Sequence, residues 1–186
     1  MFIKPAPVAQ GIEQRFPKPC AGGSIPPGRT IVNQVIIMNH KLFMSVALAA
    51  AKQACQAGEV PIGAVVVNKN NRILAVARNR READKDPVAH AEILAIRQAA
   101  RRLGDWRLYG CRIYVTLEPC PMCAGAILQA RIKTVYYGAS DPKAGAFGSL
   151  IDLRRISGYN HHLEVFGGIM AKECSQILKS FFRQLR

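Results

Sequence analysis

Two short strings, His90-Ala91-Glu92 and Pro119-Cys120-Pro121-Met122-Cys123, hold residue types that bind a borderline-soft cation and move a proton. One imidazole and two thiolates suit zinc, which accepts N and S ligands in a tetrahedron, and three protein ligands leave the fourth position for water. On a helix, Cys120 and Cys123 at i and i+3 fall about 60° apart, so both sulfurs face one ion. A first-turn position adds the positive end of the helix dipole, which favours thiolate. Glu92 lies two residues beyond His90, about 200° around a regular helix. The pair therefore converges only if His90 occupies the irregular start of a helix, as Pro87 just upstream suggests. A carboxylate beside a zinc-bound water, whose pKa the metal lowers toward about 7, takes the water's proton and returns it to a leaving group. Those parts make a hydrolytic site. Taken singly, each string has other readings. A helix-start His caps or is solvated, and a Cys-x-x-Cys is also a redox dithiol or half of a four-ligand structural zinc site. There is no second Cys-x-x-Cys, and Cys55, Cys111 and Cys174 stand singly in elements that read as core, where buried thiols behave as small hydrophobes.

Positioning these residues falls to alternating helices and strands. Leu42, Val46, Ala49 and Ala50 give one apolar face to a helix over about residues 40–57, with Gly58 where a stop belongs. Ile62–Val67 and Ile73–Ala77 are short β-branched runs joined by Asn68-Lys69-Asn70-Asn71, a hairpin with one strand buried on both faces. A polar loop with Asp86-Pro87 follows. A second helix starts near His90, with Ile93, Ile96, Ala100 and Leu103 as its apolar row and Arg97 and Arg101 on another face. Ile113, Val115 and Leu117 alternate as a strand, 119–132 is helix-like, 133–137 is a strand and 163–166 a weak one. Residues 139–160 are loop-rich, and Cys174, Ile177, Leu178, Phe181, Phe182 and Leu185 stripe a last helix. The order predicts a three-layer α/β/α fold with a mixed five-stranded central sheet whose later strands are parallel.

At 186 residues the chain has room for one domain and a tail, and 49% hydrophobic content excludes wholesale disorder. No apolar run approaches the roughly 18 residues of a membrane span. The excess of 26 Lys and Arg over 12 Asp and Glu leaves +14, which points to a polyanionic partner. Dilute cysteines and the lack of a secretory signal predict a reducing, cytoplasmic setting. Residues 1–37 hold six of the eleven prolines, which oppose the amphipathic helix of an organellar transit peptide. Residues 10–29 resemble the conceptual translation of an upstream tRNA gene, so the expected start is Met38 or Met44, with 1–37 a disordered or mis-assigned extension and 38–186 the functional domain. Lys4, Arg15, Lys18 and Arg29 against Glu13 give that extension +3, so the basic excess, +11, belongs to the rest.

The two strings together resemble the signature of the zinc-dependent cytidine and deoxycytidylate deaminase superfamily. More closely, residues 38–186 resemble the bacterial tRNA-specific adenosine deaminases. The resemblance is carried by Glu59-Val60-Pro61-Ile62-Gly63-Ala64-Val65, Asn79-Arg80, the run from Asp86 to Glu92, the run from Tyr114 to Ala126, the run from Gly138 to Ala146, and Phe181-Phe182-Arg183. It implies a cytidine-deaminase-like fold, one catalytic zinc per subunit on His90, Cys120 and Cys123, and Glu92 as proton shuttle while zinc-activated water attacks C6 of adenine to give inosine. It implies that Asn79 seats the target nucleoside and that Asp141, with Lys143, lies against neighbouring nucleotides. Phe182 and Arg183 are further candidate RNA contacts; for the adjacent Phe181 and Phe182 the plainer alternative is burial. The implied substrate is the wobble adenosine, position 34, in the anticodon stem-loop of the arginine tRNA reading ACG, bound across a homodimer with no membrane involved. Ala144 stands where a hydroxyl residue is common, and Pro142 where alanine is frequent. Arg97, Arg101, Arg154, Arg155, Lys172, Lys179 and Arg186 are candidate phosphate contacts. Two other classes remain open: a zinc deaminase of a small base or nucleotide such as guanine, cytosine or deoxycytidylate, and a noncatalytic RNA-binding module with a closed structural zinc.

Overall fold

The computed structural model describes residues 40–185; the expected extension over 1–37 and Arg186 lie outside the described residues. Helix α1 (His40–Gln56) leads into the hairpin β1 (Gly63–Val67) and β2 (Ile73–Arg78), followed by a four-residue α2 (Arg81–Asp84), α3 (Ala91–Leu103), β3 (Arg112–Leu117), α4 (Pro121–Gln129), β4 (Thr134–Ala139), β5 (Glu164–Phe166) and α5 (Ala171–Gln184). The sheet runs β2-β1-β3-β4-β5. Strand β1 pairs antiparallel with β2 and β3, whereas β4 pairs parallel with β3 and β5. The mixed five-stranded sheet is the expected one.

Alternate strand residues feed two cores. Ala64, Val66, Ile113, Val115 and Val135 pack with Ala95, Ala99, Ala124 and Ile127 of α3 and α4 on one face. Val65, Val67, Tyr114 and Tyr136 pack with Met44, Ala47, Leu48 and Cys174 of α1 and α5 on the other. With helices on both faces, β1 is buried along its whole length, as the continuous apolar run requires. Strand β3 is buried at Arg112, Tyr114 and Thr116 as well as at Ile113 and Val115, so its apparent alternation does not mark a solvent face. In the hairpin turn the Asn68 side chain accepts from the amides of Asn70 and Arg72, and Asn71 takes φ 61°.

Three expectations on helix faces are corrected. The buried face of α1 is Phe43, Met44, Ala47, Leu48, Ala50, Ala51 and Ala54, while Leu42 is 55% exposed and Ala49 faces outward. Both rows have helical spacing; the alanine row wins because α1 lies directly on β1. A Cβ at Gly63 would overlap the Ala47 carbonyl oxygen and come within 2.8 Å of the Ala51 nitrogen. Helix α3 likewise buries Ala91, Ala95 and Ala99, leaving Ile93, Ile96 and Ala100 half-buried and Leu103 exposed. Cys111 and Cys174 are buried as expected, but Cys55 is only half-buried, since it sits about 100° around the helix from the core-facing Ala54. The polar loop after β2 contains α2, too short for periodicity to reveal. Among the described residues no helix is long and apolar enough to cross a membrane.

Candidate active site

His90 and Cys120 each stand just before a helix, at its N-cap, with extended backbone: φ −72° and ψ 150° for His90, φ −71° and ψ 170° for Cys120. Each carbonyl then opens its helix, accepting from Leu94 and Ala124 respectively. That non-helical ψ removes the 200° problem and lets Glu92, the second residue of α3, turn toward the same point as the imidazole. Pro121, at the first helical position, presets φ where no amide donor is required. Cys123 follows at the third.

The His90 Nδ1 atom lies 3.7 Å from the Cys120 sulfur and 3.5 Å from the Cys123 sulfur. Nitrogen and sulfur bound to zinc at their usual lengths on a tetrahedron stand about 3.6 Å apart, so the spacing is that of ligands around one ion. All three donor atoms lie within 4.8 Å of one another, and among the described residues no fourth such side chain joins them. The donor chemistry and spacing thus fit a three-ligand metal site with an open position.

Electrostatics agree. The Cys120 thiol is pushed down to about 4, chiefly because the Cys123 S–H donates to it, with His90 and the Cys123 backbone amide adding. Cys123 is pushed up by that same contact, by burial and by the Glu92 charge. One proton therefore serves two sulfurs, and a divalent cation is what would displace it. Contact with Cys120 raises His90 despite burial. Glu92 is 3% exposed and pushed up to about 7, mainly by burial, with the Cys120 charge adding. Its Oε2 has no hydrogen-bond partner among the described residues. A buried carboxylate oxygen left open beside a metal-type donor set is what a proton carrier requires.

Two loops border this centre. Asn79 is buried at the end of β2, and the next residue, Arg80, donates its amide to Ala89, the residue before His90. Asp141 is half-buried, and its Oδ1 accepts from the amides of Lys143 and Ala144, so the carboxylate shapes its own turn; the Lys143 side chain is exposed. The Asp141 amide donates to Glu118, two residues before Cys120, which ties this loop to the metal-bearing segment. Phe181 is in the core at 7% exposure and Phe182 is 50% exposed, the split that adjacent helical positions demand. Arg183 joins Lys172 and Lys179 along one groove of about 600 Å³ on the outer face of α5. No described contact brings Phe182 or Arg183 to the metal-type group. Arg154 is held by Asp152 through both Nε and Nη2, so it is committed within the chain, whereas Arg155 is largely exposed.

Two buried acids, Glu59 and Glu118, stand outside the residues that the motifs single out. Glu59 accepts from Asn79 Nδ2 and the Ala83 amide. Glu118 accepts from the amides of Asp141, Phe147 and Ser149 and from the Ser149 hydroxyl. The available signal was an acid at the mouth of an apolar strand, Glu59 just ahead of β1 and Glu118 between Leu117 and Pro119, where a surface residue has no reason to stand.

A family model for MafB19-like deaminases matches residues 38–186. A tRNA-specific adenosine deaminase of Bacillus subtilis (strain 168) is 49% identical over 146 residues, covering 78% of this chain and 90% of its own length. The chain belongs to the tRNA-specific adenosine deaminase family. A solved structure from work on A-to-I editing by tRNA:A34 deaminases at the wobble position of transfer RNA is 46% identical to this deaminase. It superposes with a TM-score of 0.71, covering 74% of this chain and 99% of that one. A guanine deaminase from Bacillus subtilis is 44% identical with a TM-score of 0.53, over 55% of this chain and 66% of that chain. The deaminase described here is thus a hydrolytic enzyme built on a frame that also carries base deamination.

Proposed function

We propose that this deaminase converts adenosine to inosine at the wobble position, 34, of the anticodon loop of the arginine tRNA reading ACG, with one zinc per subunit. The observation that carries the reading is the imidazole and two sulfurs at tetrahedral-edge spacing, next to a buried carboxylate with one oxygen open. The relatives named for tRNA adenosine deamination supply the substrate class. Held by His90, Cys120 and Cys123, zinc would supply a Lewis acid that brings water to nucleophilic strength near neutral pH.

The remaining work belongs to the chain's own side chains. Glu92 takes a proton from the water that adds at C6 and hands it to purine N1; it then takes the proton of the new C6 hydroxyl and delivers it to the amino group, which leaves as ammonia while C6 becomes the carbonyl. Burial suits it to this task, because it keeps bulk water away from a carboxylate whose one open oxygen faces the metal-type donors. Asn79 seats the nucleoside turned out of the loop, Asp141 shapes and Lys143 charges the turn against its neighbours, and Phe182 and Arg183 meet RNA from α5. An unstacked loop base is what such a pocket reaches, and the +14 charge favours the phosphates around it. Residues 38–186 carry the activity as a homodimer, and 1–37 adds nothing to it. Reduced sulfur ligands and a tRNA substrate support a cytoplasmic setting.

The test is incubation of zinc-loaded protein, full-length and starting at Met38, with the ACG arginine tRNA, reading inosine at position 34 by sequencing. Both should convert it. Absence of inosine with zinc-occupied protein defeats the reading. The guanine deaminase likeness gives a second reading, a small-base deaminase. Turnover of free guanine, cytosine or deoxycytidylate without effect of added salt would favour that instead, because phosphate-dominated tRNA binding weakens steeply with salt.

A further inference from the structure

We propose that Glu59 is a positioning residue for substrate recognition: its buried carboxylate fixes which way the Asn79 amide faces, so that a nucleoside meets a donor and an acceptor in set places. The inference rests on the proposed function, since it concerns the same pocket.

Glu59 is held from its backbone outward. Gly58 takes φ 76° at the end of α1, the Gly58 amide donates to Cys55, and the Glu59 amide donates to Ala54. These are the paired bonds of a Schellman stop, which fixes the residue after the glycine. From there the side chain, 1% exposed, reaches two donors in the loop between β2 and α3. Its Oε1 accepts from the Ala83 amide at 2.8 Å, satisfying one of the open amides at the start of α2, and its Oε2 accepts from Asn79 Nδ2 at 3.1 Å.

A carboxylate has no proton to offer, so only the NH2 end of an amide can face it. An asparagine amide is otherwise nearly symmetric in shape, and a half-turn about its last bond exchanges donor and acceptor. Glu59 removes that choice. One Nδ2 hydrogen goes to Oε2, while the second hydrogen and Oδ1 keep fixed directions. The backbone of Asn79 is fixed as well, its amide donating to Ile62 and the next amide to Ala89 beside His90. The oriented amide is therefore registered to the metal-type centre through one peptide-to-peptide bond, and the ligand it fits is a nucleoside whose base offers an acceptor and a donor to it. Arg80, which faces the Glu59 charge, is already paired with Asp84 and does not compete for Oε2.

Glu59→Gln tests this without changing size. The Ala83 amide keeps the new carbonyl, the new NH2 faces Asn79, and Asn79 turns over. For the tRNA substrate, KM should rise by about 10- to 100-fold, the span of a lost or mismatched buried hydrogen bond, with kcat changing less and metal content unchanged. Asn79→Ala should raise KM comparably, and Glu59→Gln added to Asn79→Ala should raise it no further. An unchanged KM in Glu59→Gln, or losses that multiply in the double variant, would overturn the inference, since a general packing role acts whether or not Asn79 is present. If Glu59→Gln does not bind metal, Glu59→Asp takes its place in the same cycle, because its shorter arm gives up the Asn79 contact and keeps the charge. A parent enzyme that makes no inosine defeats the proposed function; a parent that makes it, with multiplying losses, defeats this inference alone.

Discussion

Glu92 is buried with one carboxylate oxygen unpartnered among the described residues, surroundings that suit the proton-carrying role proposed for it. Burial raises its carboxyl from 4.5 to about 7 in the protein without metal. Below pH 4.5 both folded and unfolded chains hold the proton, and stability is unaffected. Between 4.5 and about 7 the unfolded chain ionises first, so stability falls as pH rises, and above about 7 the full cost, on the order of 3 kcal/mol, is present. Glu92→Gln should therefore stabilise the metal-free protein at pH 8 by up to that amount and do nothing at pH 4. Urea unfolding after chelation measures it, and equal midpoints at pH 8 would refute it. The same substitution should cut inosine formation by at least about 100-fold while metal content stays at one per chain, since a proton carrier is lost but no ligand is. Cys123→Ser should do the opposite, lowering metal content and activity together when metal is read by mass spectrometry.

Among the elements, the tightest joint is α1 on β1. Gly63→Ala drives a methyl into the Ala47 carbonyl and toward the Ala51 nitrogen, both backbone atoms that cannot turn aside. The expected loss is about 3 kcal/mol or more, a fall in Tm of roughly 6–12 °C by calorimetry. An unchanged Tm would mean that α1 slides without penalty. This joint also marks where sequence reading stopped. Element types and order were legible because Ile62–Val67 and the Cys174–Phe181 stripe carry clear periods. The faces of α1 and α3 were not, because alanine rows and leucine or isoleucine rows have equal spacing and only contact with the sheet chooses between them. In the site, the convergence of His90, Cys120 and Cys123 was legible because metal chemistry dictates residue type. Glu59 and Glu118 were not, because an acid that accepts from distant loop amides declares itself only once the chain has closed on it.

At the scale of the whole molecule, a net charge of +14 favours a polyanionic partner such as RNA. Lys172, Lys179 and Arg183 line one groove on α5. Reversing two of them, Lys179→Glu with Arg183→Glu, should weaken tRNA binding across all sequences. It should also flatten the slope of log affinity against log salt by about 0.7–0.9 for each phosphate that is no longer neutralised. Filter binding between about 50 and 200 mM salt checks this, and a parental slope in the reversed variant would remove α5 from the RNA surface. The placement of His90 and Cys120 where helices begin has a broader consequence. The metal-type donors stand where two core helices start, whereas the loops that border them are pinned by two buried acids, Glu59 and Glu118. If the proposed function holds, exchanging those loops readdresses the catalyst to a different nucleobase and leaves the machinery that removes the amine in place.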